Sequence, residues 1–323
     1  MKAIRFAKTG GPEVLSVQEL ELPAPAAGQV RIRHTAIGVN FIDTYHRSGL
    51  YPVQLPSGLG LEAAGVIEAV GEGVKAMKPG DRVAYCQGPL GAYAEANNVA
   101  ADRLVKLPEG VSDEVAAAAM LKGLTAQYLL KQTFPVQRGQ TILIHSAAGG
   151  VGLIAGQWAK HLGCTVIGTV GSDDKMALAE ANGYNRLLNL RQDDWVAQVR
   201  EWTNGEGVPV VYDSVGKDTF QGSLDCLTMR GMLVSFGNSS GAVPAFEPGL
   251  LSAKGSLYLT RPMLFHYTST PEKFQAMADD LFGVIKSGAV KITINQRFPL
   301  AEAHAAHEAL HSRKTTGATI LIP

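Results

Sequence analysis

Hydrophobic and polar residues alternate over short stretches in the first third of the chain, and this two-residue period predicts β-strands. The runs at 14–20 and 30–37 show it, and turns rich in glycine and proline separate such runs. The segment 58–74, GLGLEAAGVIEAVGEGV, is dense in glycine, which predicts sharply bent strands. We therefore expect a mostly β, barrel-like first part that ends near residue 120.

From about residue 113 the hydrophobic period becomes helical, and apolar runs then alternate with further helical segments. The predicted strands are 141–145, 164–170, 187–190, 209–213, 232–236 and 256–259. This alternation predicts a Rossmann-type doubly wound parallel sheet, whose ligands bind beyond the carboxyl ends of the strands, here in a cleft between two domains. After about residue 262 we expect a helix at 271–288, a strand at 291–298, a last helix and a strand at 318–322. That tail is expected to return to the first domain.

One glycine turn stands in the context of a dinucleotide site. The stretch HSAAGGVGLIAGQWAKHLG, 145–163, follows a predicted strand and opens a predicted helix, but Ala147 replaces the first glycine of G-x-G-x-x-G. Gly149 has no Cβ to obstruct a pyrophosphate, Gly152 permits close helix packing, and the helix N-terminus offers N–H groups to the phosphate. The sequence therefore predicts a nucleotide site, and an ordinary turn of small residues is the alternative.

The composition narrows the class of protein. The 323 residues include 29 Lys and Arg and 29 Asp and Glu, so no bulk charge attracts nucleic acid or an anionic membrane. The first residues contain no apolar signal core, and no uninterrupted apolar run reaches the roughly 18 residues that span a bilayer. Cys86, Cys164 and Cys226 lie far apart, which excludes a disulfide framework and a Cys-x-x-Cys metal site. We expect a cytoplasmic protein.

Seven stretches together resemble a known family. They are NFIDTYHRSGLYP (40–52), GLEAAGVIEAVG (60–71), PGDRV (79–83), AAAAMLKGLTA (116–126), HSAAGGVGLIAGQWAK (145–160), VYDSVG (211–216) and LVSFGNSSG (233–241). The chain resembles the quinone oxidoreductases of the zeta-crystallin type, in the zinc-free branch of the medium-chain dehydrogenase/reductase superfamily. The AAGGVG turn is typical of that branch. The resemblance implies a GroES-like catalytic domain at 1–122 and 263–323, a Rossmann domain at 123–262, and a homodimer.

The zinc ligands of related dehydrogenases are not found at the matching positions. Zinc-dependent relatives arrange Cys, His and Glu or Cys around a metal that polarises an oxygen. Here the stretch that carries the relatives' Gly-His-Glu reads Gly60-Leu61-Glu62, and Gly38-Val39-Asn40 replaces the expected cysteine. His304, His307 and His311 are spaced to share a helix face, but on a charged, alanine-rich terminal helix we expect them to be solvated. We expect a metal-free enzyme, and we do not expect it to oxidise alcohols.

The tip of the second strand of the nucleotide domain favours NADPH. An NAD site usually ends this strand in Asp or Glu, about 20 residues beyond the glycine turn. Here Ser172 follows the strand, and Asp173 and Asp174 fit the first turn of a helix. In the resembled family, Lys175 and an arginine that matches Arg313 contact the 2′-phosphate. Leu190 replaces the family's tyrosine and the two acids lie nearby, so NADH stays open as the alternative.

Further cofactor-binding residues are expected at the carboxyl edge of the sheet. The segment Phe236-Gly237-Asn238-Ser239 ends a predicted strand where the nicotinamide amide needs partners, and Ser214 and Thr125 are candidate supporting groups. The full set of candidates is Thr125, Ala148, Gly149, Gly150, Val151, Gly152, Thr169, Gly171, Ser172, Lys175, Ser214, Phe236, Gly237, Asn238, Ser239 and Arg313.

The candidate catalytic residues are Asn40, Tyr45 and Tyr51, because the resemblance implies that NFIDTYHRSGLYP lines the nicotinamide end of the site. Tyrosine hydroxyls can donate to a quinone oxygen while the rings form a flat apolar wall. Ordinary aromatic packing is the alternative for each tyrosine. We expect Asp43 to cap the local helix and His46 to lie at the surface.

The sequence thus predicts a metal-free, flavin-free quinone reductase that transfers reducing equivalents from bound NADPH. NADPH-dependent reduction of an enone or enoyl double bond is the alternative within enzymes, because it uses the same hydride. A nucleotide-regulated RNA-binding protein is a further alternative. The equal numbers of basic and acidic residues do not provide the excess of positive charge that an RNA-binding surface needs. Neither a membrane nor a nucleic acid is an expected partner.

Overall fold

A computed structural model describes residues 1–192 and 194–323, and the chain forms two compact units. The first unit comprises Met1–Leu124, Thr268–Lys286 and Ile292–Pro323, and the second comprises Thr125–Tyr267 and Ser287–Lys291. The chain passes from the first unit to the second between residues 124 and 125 and returns between residues 267 and 268. The sequence predicted these two boundaries between residues 122 and 123 and between residues 262 and 263. The short segment Ser287–Lys291, which joins the second unit, had no counterpart in that prediction.

The elements are numbered here in chain order. In the described residues the strands β1 to β16 are Lys2–Phe6, Ser16–Glu19, Gln29–Val39, Ser57–Gly58, Glu62–Val70, Arg82–Tyr85, Ala96–Ala100, Val105–Lys106, Thr141–Ile144, Thr165–Val170, Arg186–Asn189, Val208–Asp213, Leu227–Ser235, Tyr258–Thr260, Ile294–Pro299 and Ala318–Ile322. The α-helices α1 to α10 are Phe41–Ser48, Asp113–Tyr128, Gly150–His161, Met176–Ala181, Trp195–Trp202, Phe220–Asp225, Gly249–Ala253, Leu264–Tyr267, Pro271–Lys286 and Ala303–His311.

The first unit is built on a mixed sheet in the order β15-β16-β3-β5-β6-β8, with β7 also paired to β3. Val30 and Ile32 on β3 are buried while the alternating Arg31 and Arg33 are not, as the two-residue period predicted. The pairing of β3 with β5 shifts register twice, and a Cβ at Gly65 would lie only 2.0 Å from the Arg33 carbonyl oxygen. The glycine-dense stretch therefore does form irregular, closely approached strands.

The tail of the chain returns to this sheet, as predicted. β16 pairs antiparallel with β3, with Thr319 opposite Val39, and β15 pairs parallel with β16. Leu300, Ala303 and Leu310 from the last helical segment are buried in the core of the first unit. The tail thereby completes the core that the first 124 residues begin.

The second unit confirms the doubly wound fold. Its parallel strands lie in the order β11-β10-β9-β12-β13-β14, so the order reverses between β9 and β12. The core of this unit includes one buried apolar side chain from each of five strands, namely Leu143, Ile167, Leu188, Val211 and Leu233.

The observed strands of the second unit match the apolar runs, with one extension. β13 begins at Leu227 rather than 232, because Met229 and Arg230 on the early part of the strand are exposed and lack an apolar pattern. In the described part of the chain, no helix is both long and apolar enough to cross a membrane.

Candidate active site

The glycine turn joins β9 to α3 in the second unit, and its backbone is held at several points. Ser146 adopts a left-handed conformation with φ of 57°, which is uncommon for a residue other than glycine. Its carbonyl oxygen accepts a hydrogen bond from the Gly149 N–H at 2.9 Å, and the Ala147 N–H donates to the Thr169 carbonyl oxygen at 2.9 Å. The turn is therefore fixed to the neighbouring strand β10.

Two glycines of the turn serve different purposes. A Cβ on Gly152 would lie 2.2 Å from the Ser146 carbonyl oxygen, so α3 can approach the turn only with glycine there. A Cβ on Gly149 would meet that oxygen at 3.2 Å and the Ser146 Cβ at 3.9 Å, with no other atom within 4 Å. Helix geometry also leaves the N–H groups of Gly150, Val151 and Gly152 without acceptors inside the helix. An open backbone surface beside free N–H groups fits a pyrophosphate.

Tyr184 supports this turn and was not identified from the sequence. Its hydroxyl donates to the Gly152 carbonyl oxygen at 2.7 Å, and its ring is buried. The ring occupies the space that side chains at Gly156 and Gly168 would fill, since a Cβ at either position would lie 2.4 Å from it. The two glycines and the tyrosine fit one another only in three dimensions, and no local pattern indicates the contact.

The tip of β10 carries the residues expected to choose between NADPH and NADH. Asp173 is exposed and accepts a hydrogen bond from the Asn189 side chain at 2.8 Å. Asp174 is exposed, while Lys175 is half-buried. Burial lowers the pKa of the Lys175 ammonium, Asp174 opposes that change and the Arg191 guanidinium adds to it.

Arg191 is thus a second cation within electrostatic reach of Lys175, and the sequence analysis did not single it out. It directly follows Leu190, the position at which this chain departs from the resembled family. Its backbone N–H donates to the Asn189 side-chain oxygen at 3.0 Å, which fixes the backbone of Arg191 at the end of β11. Arg313 is exposed and belongs to the first unit.

A buried hydrogen-bond network lies under the carboxyl end of β12. One Asp213 carboxylate oxygen accepts from the Val215 and Gly216 N–H groups at 2.8 and 3.0 Å. The other accepts from the Thr219 and Ser223 hydroxyls at 2.7 and 2.8 Å. Asp213 therefore fixes the segment that begins with the candidate residue at position 214.

His145 connects this network to β10. Its Nε2 lies 2.9 Å from the Ser223 hydroxyl and its Nδ1 lies 2.8 Å from the Thr169 hydroxyl. Thr169 is completely buried, its hydroxyl contacts His145, and its carbonyl oxygen accepts the Ala147 N–H of the turn. Burial also lowers the pKa of His145, which favours the neutral ring.

Arg261 organises the segment expected to face the nicotinamide, and it too was missed. Its guanidinium donates to the carbonyl oxygens of Ser235 and Gly237 at 2.9 and 3.1 Å. The Asn238 amide, oriented by its neighbours, accepts from Arg261 at 3.1 Å. The Ser239 N–H donates to the Ser214 carbonyl oxygen at 3.2 Å. The structure thus brings these carboxyl-edge candidates together through backbone contacts.

The remaining candidates of the second unit surround the same elements. Ala148 is buried, and Thr125 is buried and hydrogen-bonds to Tyr128. Phe236 is half-buried, and its N–H donates to the Asp213 carbonyl oxygen at 2.8 Å. Gly171 lies exposed beyond the end of β10, and a Cβ there would meet nothing within 4 Å.

The catalytic candidates Asn40, Tyr45 and Tyr51 lie on α1 and the segments that flank it. The rings of Tyr45 and Tyr51 are half-buried, with centroids 5.3 Å apart and planes at 61°. The expected flat wall is therefore wrong, because the two rings meet edge to face. His46 is half-buried instead of lying at the surface, and its ring packs 5.9 Å from Tyr51.

Asn40 lies in a buried polar cluster with Glu62 and Lys122. Its Nδ2 donates to Glu62 Oε2 at 2.7 Å, and its Oδ1 accepts from Lys122 Nζ at 2.7 Å. The other Glu62 oxygen accepts the Leu121 N–H at 2.6 Å. Burial raises the pKa of Glu62, while the Lys122 ammonium and these hydrogen bonds oppose the rise.

A second buried chain of hydrogen bonds anchors α1. Asp43 accepts from the Asn40 N–H at 2.8 Å and from the Tyr93 hydroxyl at 2.9 Å, so the expected capping role of Asp43 is confirmed. His307 Nε2 lies 3.1 Å from that hydroxyl, and His307 Nδ1 lies 3.1 Å from Arg47 Nη1. Burial raises the pKa of Asp43 to about 7.

The expectation of solvated histidines on the last helix is wrong for His307. His304 and His311 are exposed, but His307 is completely buried and points at Tyr93 and Arg47. Since guanidinium only donates, Nδ1 of His307 accepts and Nε2 carries the proton. Burial, with the nearby Arg47 cation, lowers the pKa of His307 to about 3, so its ring stays neutral.

Two family models match the two parts of the chain. The alcohol dehydrogenase GroES-like domain matches residues 26–109, and the zinc-binding dehydrogenase model matches residues 150–281. The quinone oxidoreductase of Pseudomonas aeruginosa is 57% identical over 100% of this chain and 99% of its own length. This chain belongs to the quinone oxidoreductase family.

A solved structure and a further relative agree with that assignment. The crystal structure of Escherichia coli quinone oxidoreductase complexed with NADPH superposes with a TM-score of 0.99 at 51% identity and covers 100% of both chains. A 2-haloacrylate reductase from a Burkholderia species is 46% identical over 98% of this chain and 97% of its own length. The family thus includes a reductase named for a different acceptor.

The residues of this chain do not fit the catalytic zinc of the wider superfamily. At the positions compared above, Leu61 is a buried apolar residue and Asn40 supplies an amide. Glu62 remains, but its oxygens are taken up by Asn40, Leu121 and the Lys122 ammonium. In residues 1–192 and 194–323, no group of three or more His, Cys, Asp or Glu side chains is arranged to hold a metal.

Proposed function

We propose that this protein is an NADPH-dependent quinone reductase that needs neither zinc nor flavin. The observation that carries the proposal is the open glycine turn at the start of α3, together with full-length similarity to a quinone oxidoreductase crystallised with NADPH. When bound, NADPH supplies a hydride that, with one proton from solvent, converts a quinone into a hydroquinone and leaves NADP⁺. The family resemblance further supports a homodimer in the cytoplasm.

Different residues of the second unit bind different parts of NADPH. The N–H groups of Gly150, Val151 and Gly152 bind the pyrophosphate. Lys175, with Arg191 nearby, holds the 2′-phosphate, and the family resemblance implies Arg313 as a further contact of that phosphate. The segment 236–239, which Arg261 holds in place, receives the nicotinamide amide.

The first unit supplies the groups for the acceptor. Asn40 and the hydroxyls of Tyr45 and Tyr51 donate hydrogen bonds to its oxygen, where negative charge develops as the hydride arrives. The edge-to-face tyrosine rings provide apolar surface against a flat acceptor. Direct hydride transfer requires mainly this positioning, because the cofactor carries the redox chemistry.

A panel of cofactors and acceptors on chelator-treated protein tests the proposal. We expect the highest kcat/KM with NADPH and 1,4-naphthoquinone, no oxidation of a primary alcohol, and no loss of activity after chelation. Steady-state absorbance at the nicotinamide band measures each combination. Loss of quinone reduction on chelation, with recovery on stoichiometric zinc, would contradict the metal-free proposal.

Reduction of an activated double bond is the second candidate, favoured by the 46% identical 2-haloacrylate reductase. A halogenated acrylate accepts a hydride at carbon, so the same cofactor site serves with a different acceptor pocket. The panel therefore includes 2-chloroacrylate and a medium-chain enone. Turnover of either one without turnover of any quinone would select this candidate.

Lys175→Ala is expected to weaken NADPH binding about tenfold or more and to leave NADH binding nearly unchanged. A charge-assisted hydrogen bond to phosphate contributes roughly 1.5–3 kcal/mol, and NADH has no 2′-phosphate to lose. Higher salt is expected to weaken NADPH more than NADH for the same reason. Fluorescence titration of both nucleotides measures the effect, with Lys160→Ala, an exposed lysine on α3, as control.

If Lys175→Ala weakens the binding of NADPH and of NADH equally, Lys175 has a structural role and does not contact the 2′-phosphate. A parent protein that already prefers NADH would show that Asp173 and Asp174 determine the choice, against our proposal.

A further inference from the structure

Lys122 is a buried cation for which the proposed function so far has no use. It lies on α2 within the first unit, and only 6% of its surface is exposed. Its ammonium lies 2.7 Å from Asn40 Oδ1 and 3.5 Å from Glu62 Oε2. Lysine is almost never this buried unless it is paired, so the arrangement is a specific feature of the fold.

The partner carboxylate is built into the strand pairing. Glu62 is completely buried and lies opposite Gly38 in the pairing of β5 with β3. A Cβ on Gly38 would lie 2.1 Å from Glu62 Oε2 and 2.3 Å from the Ala117 carbonyl oxygen. Any side chain at position 38 would therefore displace the carboxylate, and the glycine makes room for it.

The two ions determine how the Asn40 side chain is oriented. Ammonium can only donate and a carboxylate can only accept, so the amide oxygen must face Lys122 and the amide nitrogen must face Glu62. These bonds use one of the two Nδ2 hydrogens. The second hydrogen lies in the fixed amide plane and has no protein partner in the described part of the chain.

This cluster joins two segments that the sequence analysis compared with zinc-dependent relatives. The stretches 38–40 and 60–62, which match their ligand-bearing segments, meet here around an ammonium instead of a metal ion. A metal polarises the acceptor oxygen directly, whereas Lys122 reaches a substrate only through the amide it holds.

We propose that Lys122 is a positioning residue for the reductase reaction: with Glu62 it locks the Asn40 amide so that the second Nδ2–H donates to the acceptor oxygen. This inference rests on the proposed function, in which Asn40 contacts the acceptor. A donor held in place before the reaction costs no reorganisation when negative charge develops, which is the source of its effect on rate.

Lys122→Met tests the proposal by removing the ammonium while keeping the length of the side chain. We expect kcat with 1,4-naphthoquinone to fall about 10²-fold, as for loss of one oxyanion donor, while the Kd of NADPH changes less than twofold. The cofactor turn lies in the second unit and is unaltered. Lys106→Met removes an exposed lysine of the same unit, which pairs with Asp81, and is expected to change neither quantity.

The double variant Lys122→Met with Glu62→Gln distinguishes a role of Lys122 in positioning Asn40 from a role in stabilising the fold. It leaves no unpaired buried carboxylate, so its Tm is expected to recover toward that of the parent while kcat stays low. Recovery of both Tm and kcat would overturn the proposal, because Lys122 would then serve only to neutralise Glu62. An unchanged kcat in Lys122→Met would also overturn it.

A readout without turnover comes from 4-nitrophenol bound to the NADP⁺-loaded protein. A fixed donor stabilises the phenolate, so the bound phenol of the parent protein is expected to ionise at lower pH than free phenol, as its visible absorbance reports. Lys122→Met is expected to abolish this shift, and a shift retained in full would overturn the proposal. If no quinone is reduced but the Lys122-dependent shift persists, the proposed function fails while the inferred role of Lys122 stands.

Discussion

Gly149→Val is expected to weaken NADPH binding at least tenfold, about 1.4 kcal/mol. The Cβ of residue 149 would contact only Ser146, with its carbonyl oxygen at 3.2 Å and its Cβ at 3.9 Å, and the branched side chain would otherwise extend over the face of the turn. In the proposed function, that face is where the pyrophosphate approaches the N–H groups at the start of α3. Isothermal titration of NADPH against the purified variant measures the loss.

The backbone conformation at position 149 accepts a branched residue. Gly149 has φ of −78°, which any residue adopts, so the substitution adds no backbone strain. Gly249→Val, at the exposed start of α7 where a Cβ would meet nothing within 4 Å, is a matched control in the same unit. Unchanged NADPH affinity in folded Gly149→Val protein would show that the pyrophosphate binds elsewhere.

Asp213→Ala is expected to lower the free energy of unfolding by about 3 kcal/mol or more. The change leaves the N–H groups of Val215 and Gly216 buried without their acceptor, and each such group costs roughly 1–3 kcal/mol. The hydroxyls of Thr219 and Ser223 also lose their shared acceptor. Denaturant unfolding monitored by circular dichroism measures the difference.

Asp218→Ala is the control for this prediction, because Asp218 lies five residues further on and is exposed. Its unfolding free energy is expected to match the parent within about 0.5 kcal/mol. A loss in Asp213→Ala no larger than in this control would show that the carboxylate is dispensable and that the segment after β12 is held by other contacts.

The local pattern of the chain was sufficient to predict most of the fold. Short apolar runs separated by helical segments predicted the strands of the second unit, because a strand buried on both faces must be apolar along its length. The start of β13 was not predicted, since Met229 and Arg230 there are exposed. The glycine turn was also predictable, because its strand, turn and helix are contiguous in sequence.

The buried polar clusters could not be predicted in this way. His307 is separated by 260 residues from Arg47 and by 214 from Tyr93, its hydrogen-bond partners, and Lys122 is separated by 82 from Asn40. A histidine on an alanine-rich helix has the same local sequence whether it faces solvent or the core. Only the packing of α10 within the first unit makes His307 a neutral, buried link to α1.

The sequence by itself thus determined the fold class, the glycine turn between β9 and α3, the family and the absence of the zinc-ligand residue types at the matching positions. These properties depend on residue type and on spacing along the chain. The tertiary structure alone decided that Tyr184 supports the turn, that Arg191 lies near Lys175, and that Lys122 and Glu62 enclose the Asn40 amide. All three join segments that are separated along the chain. The contacts of Tyr184, Lys122 and Glu62 form because a buried polar group must find a partner wherever the fold brings one within reach, whereas the exposed Arg191 lies near Lys175 because β10 and β11 are paired in the sheet.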